Sequence, residues 1–140
     1  MMNNKRHIWT SFILYYLTLL LVVTQGSAYV PIEEHNGIKY KFYTETYKDY
    51  CFDIMNQISP KYLEGIKLIR IYAGGINKQY FGTYTPIISI IDDFSWCSKD
   101  TIIHELAHHC QIKRGDTITQ AKNHIGHFNE CEEEIWRSLK

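Results

Sequence analysis

The residues His104-Glu105-Leu106-Ala107-His108 constrain this chain more than any other feature of its sequence. A helix advances about 100° per residue, so the two histidines lie one turn apart on the same face. Two imidazoles so placed can bind one Zn²⁺ ion and leave coordination positions for a third protein ligand and a water. Glu105, beside the first histidine, can reach that water as a general base. The motif therefore predicts a metal site with His104 and His108 as ligands and Glu105 as the catalytic residue.

The residues around the motif predict one helix over 98–114. Ser98 suits the N-cap position, and Asp100 places an acid in the first turn. Gly115 follows the last turn as a stop signal. Four apolar residues recur at helical spacing and predict a buried face: Ile103, Leu106, Ala107 and Cys110. The motif histidines and Gln111 lie on the opposite side, which we expect to face a cleft.

The first 28 residues differ in composition from the rest of the chain. Residues 5–7 are basic, residues 8–23 are almost entirely apolar, and residues 24–28 are small and polar. This order is typical of a secretory signal peptide, with cleavage after Ala28. The alternative is an uncleaved single-pass membrane anchor, for which the apolar run is short. Either interpretation places residues 29–140 outside the cytoplasm, secreted or anchored to the membrane.

Length, charge and cysteine content limit the class of protein. With 140 residues the chain is long enough for one domain, and 45% hydrophobic residues can form its core. The 15 basic and 15 acidic residues cancel, so we expect no nucleic-acid partner, since such a partner usually meets a basic face. Cys51, Cys97, Cys110 and Cys131 form an even set that can pair in an oxidising compartment. Cys51 and Cys110 equally suit buried free thiols, because both fall on apolar helix stripes.

The remaining segments predict an α+β domain. Asn36-Gly37 is a turn signal within the extended segment 30–43 and predicts a hairpin. Thr46 and Asp49 have the spacing of a capping box, and an apolar helical stripe follows them. Further strands are predicted over 66–73, 80–85 and 87–91, and a last helix over 128–139. We therefore expect a short, mostly antiparallel sheet backed by an N-terminal helix, the His-Glu-x-x-His helix and a C-terminal helix.

A catalytic zinc site usually has three protein ligands, so a third ligand must come from elsewhere in the chain. Two candidates follow the motif: His127, and Glu130 in the pair Asn129-Glu130. Zn²⁺ accepts either donor readily, and we favour His127 with Glu130 as the alternative. For His124 we expect a contact with the substrate or with the oxyanion, or a plain loop position.

Residues 66–139 resemble the SprT-like metallopeptidases, which belong to the wider zincin class. In that family, a Gly-His or His-Gly element after the His-Glu-x-x-His helix supplies the third histidine, and Gly126-His127 has this form here. The resemblance implies a small zincin-like metallopeptidase domain over 29–140. It also implies a set of roles: His104, His108 and His127 as zinc ligands, and Glu105 as the base.

A second resemblance, to the gluzincins, comes from Asn129-Glu130 and implies Glu130 as the third ligand. From the motif we expect a zinc-dependent peptidase whose protein or peptide substrate lies extended along the rim strand of the sheet. The carboxylates of Asp92, Asp93 or Asp116 are the expected hydrogen-bond partners of the ligand histidines. The alternative is a secreted or membrane-tethered interaction module that binds zinc without catalysis.

Overall fold

The computed structural model describes residues 30–72 and 81–140 of the chain. The signal peptide or membrane anchor predicted over 1–28 lies outside the described residues. Within the two described ranges, no helix is both long enough and apolar enough to cross a bilayer.

The first described element is the predicted hairpin. β1 (Ile32–His35) and β2 (Ile38–Phe42) pair in antiparallel fashion. Asn36 and Gly37 form the two-residue loop between them, with φ angles of 53° and 78°. Positive φ at both loop positions is characteristic of the type I′ turn that Asn-Gly favours, so this prediction is confirmed.

The described strands form one mixed sheet. β3 (Leu68–Ile71), β4 (Gly82–Thr85) and β5 (Ile90–Asp93) complete the order β1-β2-β3-β5-β4. β2, β3 and β5 run parallel, and only the edge strands β1 and β4 are antiparallel to their neighbours. The α+β class is confirmed, but the sheet is mixed rather than mostly antiparallel. Helices connect β2 to β3, and such a crossover returns the chain to the starting end of the sheet.

The strand predicted over 87–91 begins and ends later, at Ile90–Asp93. Residues 86–89 instead form the turn from β4 to β5, where Ser89 has a φ of 52°. Asp92 and Asp93, which follow the predicted strand, lie within β5, because each carboxylate has a partner. Asp92 accepts a hydrogen bond from Arg70 at 2.6 Å, and Asp93 accepts one from the Cys97 backbone at 2.5 Å.

The helices, in chain order, are α1 (Lys48–Gln57), α2 (Pro60–Leu63), α3 (Lys99–Lys113), α4 (Ile118–Lys122) and α5 (Phe128–Arg137). α3 confirms the helix predicted over 98–114. The capping box predicted at Thr46 and Asp49 is wrong, because Tyr47 holds the N-cap position of α1 and no side chain caps it. A capping box begins α4 instead, where Thr117 and Gln120 bond each other's backbone.

α3 occupies the centre of the domain, in contact with α5, β4 and β5. Its apolar face lies in the core, and Ile102, Ile103, Leu106 and Ala107 are fully buried. Two disulfides hold its ends. Cys51–Cys97 joins α1 to the residue before the Ser98 N-cap, and Cys110–Cys131 joins α3 to α5. Paired cysteines are typical of an oxidising compartment, in agreement with a domain outside the cytoplasm.

Candidate metal centre

Three histidines meet at one point on the surface of α3. The ring centroids of His104, His108 and His124 lie 4.9 Å apart in all three pairs, so the rings form an equilateral triangle. One ligand nitrogen of each lies within 4.8 Å of the others, and Nε2 of His104 is 3.1 Å from Nε2 of His124. A tetrahedral zinc site places its ligand nitrogens about 3.4 Å apart. The cluster could therefore hold a metal ion.

The third histidine reaches the triangle through the short helix α4. The capping box at its start fixes its direction, and Asn123 ends it. His124 then adopts a left-handed backbone conformation with a φ of 52°, while its N–H bonds to Ala121. A histidine tolerates this conformation better than most residues do, and the conformation ends the helix with an abrupt turn.

Phe128, the first residue of α5, forms the wall behind the triangle. Its buried ring lies 5.0, 4.7 and 4.5 Å from the rings of His104, His108 and His124 respectively. An aromatic ring in contact with all three imidazoles limits their rotation and shields one side of the cluster from water.

The Nδ1 atoms of His104 and His108 face groups that can hold each imidazole ring in an orientation suitable for binding a metal ion. Nδ1 of His104 lies 3.6 Å from a carboxylate oxygen of Glu132 on α5. Nδ1 of His108 and Oε1 of Gln111 are both buried and lack a well-aligned hydrogen bond, although Gln111 is close enough to raise the pKa of His108. A proton on each Nδ1 would satisfy these acceptors and leave Nε2 free for a metal ion. The residues present therefore fit a bound metal.

Burial keeps the helix histidines in the neutral form that coordinates metals. The pKa of His108 is lowered to about 4, mainly by burial and in part by the neighbouring His104 and His124. Burial also lowers the pKa of His104, and the charge on His124 acts in the same direction. Both rings are consequently neutral at pH 7, so no proton has to be displaced before a metal binds.

The structure places His124, and not His127, beside the helix pair, which differs from our sequence-based choice. His127 instead faces Asp116, whose carboxylate bonds its Nδ1 at 2.8 Å and its backbone N–H at 2.7 Å. Gly126, with a φ of 74°, packs directly against the same carboxylate, so the chain turns between the two histidines. The role predicted for His124, a contact with substrate or oxyanion, gives way to that of a ligand candidate.

The other sequence candidates also have partners elsewhere. Glu130, the alternative third ligand, lies 3.4 Å from the Arg114 guanidinium. Of the aspartates expected behind the ligands, Asp92 and Asp93 have the partners described above, and Asp116 holds His127. Sequence reasoning missed Glu132, because the glutamate-rich start of α5 indicated only a solvated helix face. For Gln111 the sequence did give a signal, because helix spacing places it on the same side of α3 as His108.

Glu105 lies beside the triangle, against strand β4. It is only 5% exposed. A Cβ at Gly82 would lie 3.0 Å from Glu105 Oε1 and 2.5 Å from Thr101, so a larger residue there would force β4 away from α3. The predicted base is therefore enclosed between the helix and the edge strand.

The enclosure changes the acidity of Glu105. The pKa of its carboxyl is raised to about 8, mainly by burial and in part by the nearby Asp93 and Asp92. A hydrogen bond from the Tyr84 backbone acts in the opposite direction. A cation held by the three histidines would favour the ionised carboxylate, which is the form that accepts a proton.

A cleft of about 530 Å³ gives access to the triangle and to Glu105. One wall is the edge strand β4 together with Pro86, and the other is α4, with Ile118, Ala121 and Lys122. Ile118 is exposed and apolar, and Lys122 adds a positive charge at the rim. The cleft thus brings together two imidazoles of α3, the imidazole of His124 after α4, the buried Glu105 carboxyl and the edge strand β4.

Comparisons of the chain with protein-family models, with curated proteins and with solved structures found no significant match. The resemblance to SprT-like peptidases and to gluzincins therefore stays a prediction. The function has to be inferred from the geometry of the site itself.

Proposed function

We propose that the chain is a zinc-dependent peptidase, with His104, His108 and His124 as zinc ligands and Glu105 as the general base. The observation that carries the proposal is the triangle of imidazoles beside a buried carboxyl, in a cleft with a strand edge on one side. Three neutral nitrogen donors with one side open are the ligand set of many catalytic zinc sites.

The residues of the chain divide the chemical work between them. When bound, Zn²⁺ would act as a Lewis acid toward a water molecule and the substrate carbonyl. Glu105 takes a proton from the water molecule while the water oxygen forms a bond to the carbonyl carbon of the substrate. The same carboxyl then gives this proton to the leaving nitrogen as the C–N bond breaks. Phe128 and the walls of the cleft exclude other water from the reacting groups.

The substrate class follows from the walls of the cleft. Among the described strands β4 pairs only with β5, and we propose that its other edge forms hydrogen bonds to an extended peptide. We therefore propose a protein or peptide substrate that lies along β4. The disulfides favour action outside the cytoplasm, where the chain is either secreted or held by its N-terminal segment.

The test compares the zinc-loaded wild type with Glu105→Gln on an unstructured protein substrate. We expect Glu105→Gln to keep its zinc and to lose at least about a thousandfold in kcat/KM, because a general base is removed without a change of shape. Glu133→Gln, on an exposed residue paired with Arg137, is the matched control and should behave as wild type. Equal hydrolysis by Glu105→Gln and wild type contradicts the proposal.

A second function, a zinc-binding interaction module without catalysis, is favoured by one observation. Glu105 is enclosed against β4 and accepts a hydrogen bond from the Tyr84 backbone, as a structural residue would. On this alternative, zinc-loaded wild type hydrolyses no peptide, and Glu105→Gln lowers the stability of the domain while its zinc content stays the same.

A further inference from the structure

α3 carries a second pair of residues at the spacing of its metal-binding pair. His104 and His108 lie one turn apart. The residue after each of them, Glu105 and His109, forms a second pair that is also one turn apart. Residues four apart share one helix face, so this second pair lies on a neighbouring face. Both of its members meet the same strand residue, Tyr84 of β4.

The His109 side chain links β4 to the end of α2. It is 4% exposed, its Nδ1 lies 2.8 Å from the Tyr84 hydroxyl, and its Nε2 lies 2.9 Å from the backbone oxygen of Glu64. Gly65, with a φ of 94°, lets the chain after α2 pass close to the ring, because a Cβ there would lie 3.5 Å from it. The ring thus has a partner at each nitrogen and little room to move.

The direction of each hydrogen bond follows from the chemistry of the partners. A carbonyl oxygen only accepts, so Nε2 of His109 must carry the proton that bonds to Glu64. In the neutral ring Nδ1 then accepts from the Tyr84 hydroxyl. The two bonds therefore run in one direction, from Tyr84 on β4 through His109 on α3 to Glu64 at the end of α2.

The same strand residue also reaches the proposed base. The backbone N–H of Tyr84 lies close enough to the Glu105 carboxyl to lower its pKa, and both residues line the same cleft, while the Tyr84 hydroxyl bonds to His109 one turn further along α3. Glycine at position 82 permits this close approach of β4 to Glu105. The distance between the edge strand and α3 is therefore set at two points, one at Glu105 and one at His109.

We infer that His109 and Tyr84 are positioning residues that hold β4 against α3 and so fix the place of the Glu105 carboxyl beside the three histidines. This inference rests on the proposed peptidase function. His109, the third histidine of α3, is thus a positioning residue and not a metal ligand. The polar groups of both side chains bond to each other and not to Glu105, so the side chains act on Glu105 only through the backbone of β4.

The experiment uses the full chain, loaded with zinc, with activity expressed per bound zinc at a temperature well below unfolding. Tyr84→Phe deletes the hydroxyl that joins the two elements. We expect it to retain zinc and to lose about tenfold in kcat with a smaller change in KM, because a displacement of up to 1 Å at a catalytic group costs up to about a hundredfold. The control, Tyr40→Phe, deletes a hydroxyl from a buried side chain on β2. Because β3 and β5 lie between β2 and β4 in the sheet, this variant should leave kcat unchanged.

A double variant separates positioning from general loss of stability. His109→Gln and Tyr84→Phe break the same connection, so the double variant should lose no more in kcat than the more damaging single variant. Additive losses, or a Tyr84→Phe variant with wild-type kcat per zinc, overturn the inference.

Two measurements do not depend on peptidase activity. Nitrogen NMR of the His109 ring should show the Nε2–H tautomer in wild type, and the Tyr84 amide should exchange its hydrogen about tenfold faster in Tyr84→Phe. The other tautomer or unchanged exchange overturns the inference. If both signatures are present while zinc-loaded wild type hydrolyses no peptide, the proposed function fails and the link between β4 and α3 stands.

Discussion

The two parts of the candidate metal centre, the face of α3 and the loop after α4, place their histidines by different means. On α3, regular helix spacing alone brings His104 and His108 together, with rings 4.9 Å apart. In the loop, His124 and His127 are equally able to bind a metal, yet His124 joins the triangle and His127 bonds Asp116. A helix therefore places its ligands through local geometry, whereas a loop depends on the contacts that hold it.

The strongest test of this difference between helix and loop is to replace the two loop histidines, His124 and His127, one at a time. We expect His124→Ala to bind zinc about a thousandfold more weakly, since one of three ligands contributes roughly a third of a binding free energy of about 10–16 kcal/mol. His127→Ala is the control and should bind zinc nearly as well as wild type. Zinc titration against a competing chelator measures both. If only His127→Ala loses affinity for zinc, the third ligand is His127, as the sequence analysis predicted, and not His124.

A smaller effect is expected from the disulfide that joins α3 to α5. Cys110–Cys131 links α3 to α5, which carries Phe128 and Glu132. With a sequence separation of 21, its removal in the Cys110→Ala, Cys131→Ala variant should lower the free energy of unfolding by about 3 kcal/mol. Urea unfolding of the metal-free proteins measures this change. Zinc affinity should fall as well, and an unchanged affinity would show that α5 does not hold the site together.

The smallest effect concerns the partner of one helix ligand. Glu132 faces Nδ1 of His104 at 3.6 Å, and loss of such a partner typically costs about 10–100-fold in metal affinity. We expect this loss in Glu132→Gln, which keeps the shape but not the charge. Glu133→Gln is the adjacent control and should bind zinc as wild type does. Equal affinities of the two variants would mean that α3 holds His104 without help from α5.

Several parts of the fold could be predicted because their signals are local. Asn36-Gly37 specified its turn through the positive φ angles that both residues tolerate. The limits of α3 followed from a stripe of apolar residues and from Gly115. The parallel arrangement of β2, β3 and β5 could not be predicted in this way, since the strands are alike and only the crossover decides their direction.

The sequence by itself determined that His104 and His108 share one helix face, with Glu105, the proposed base, between them, because residues four apart on a helix share a face whatever surrounds it. Only the tertiary structure decided the third member of the site. The choice between His124 and His127 depends on a left-handed residue at the end of α4 and on the Asp116 carboxylate, which lies against Gly126. Such contacts join segments that are distant along the chain, and residue spacing carries no information about them. The second role of the motif helix, in which Glu105 and His109 meet Tyr84, was decided in the same way.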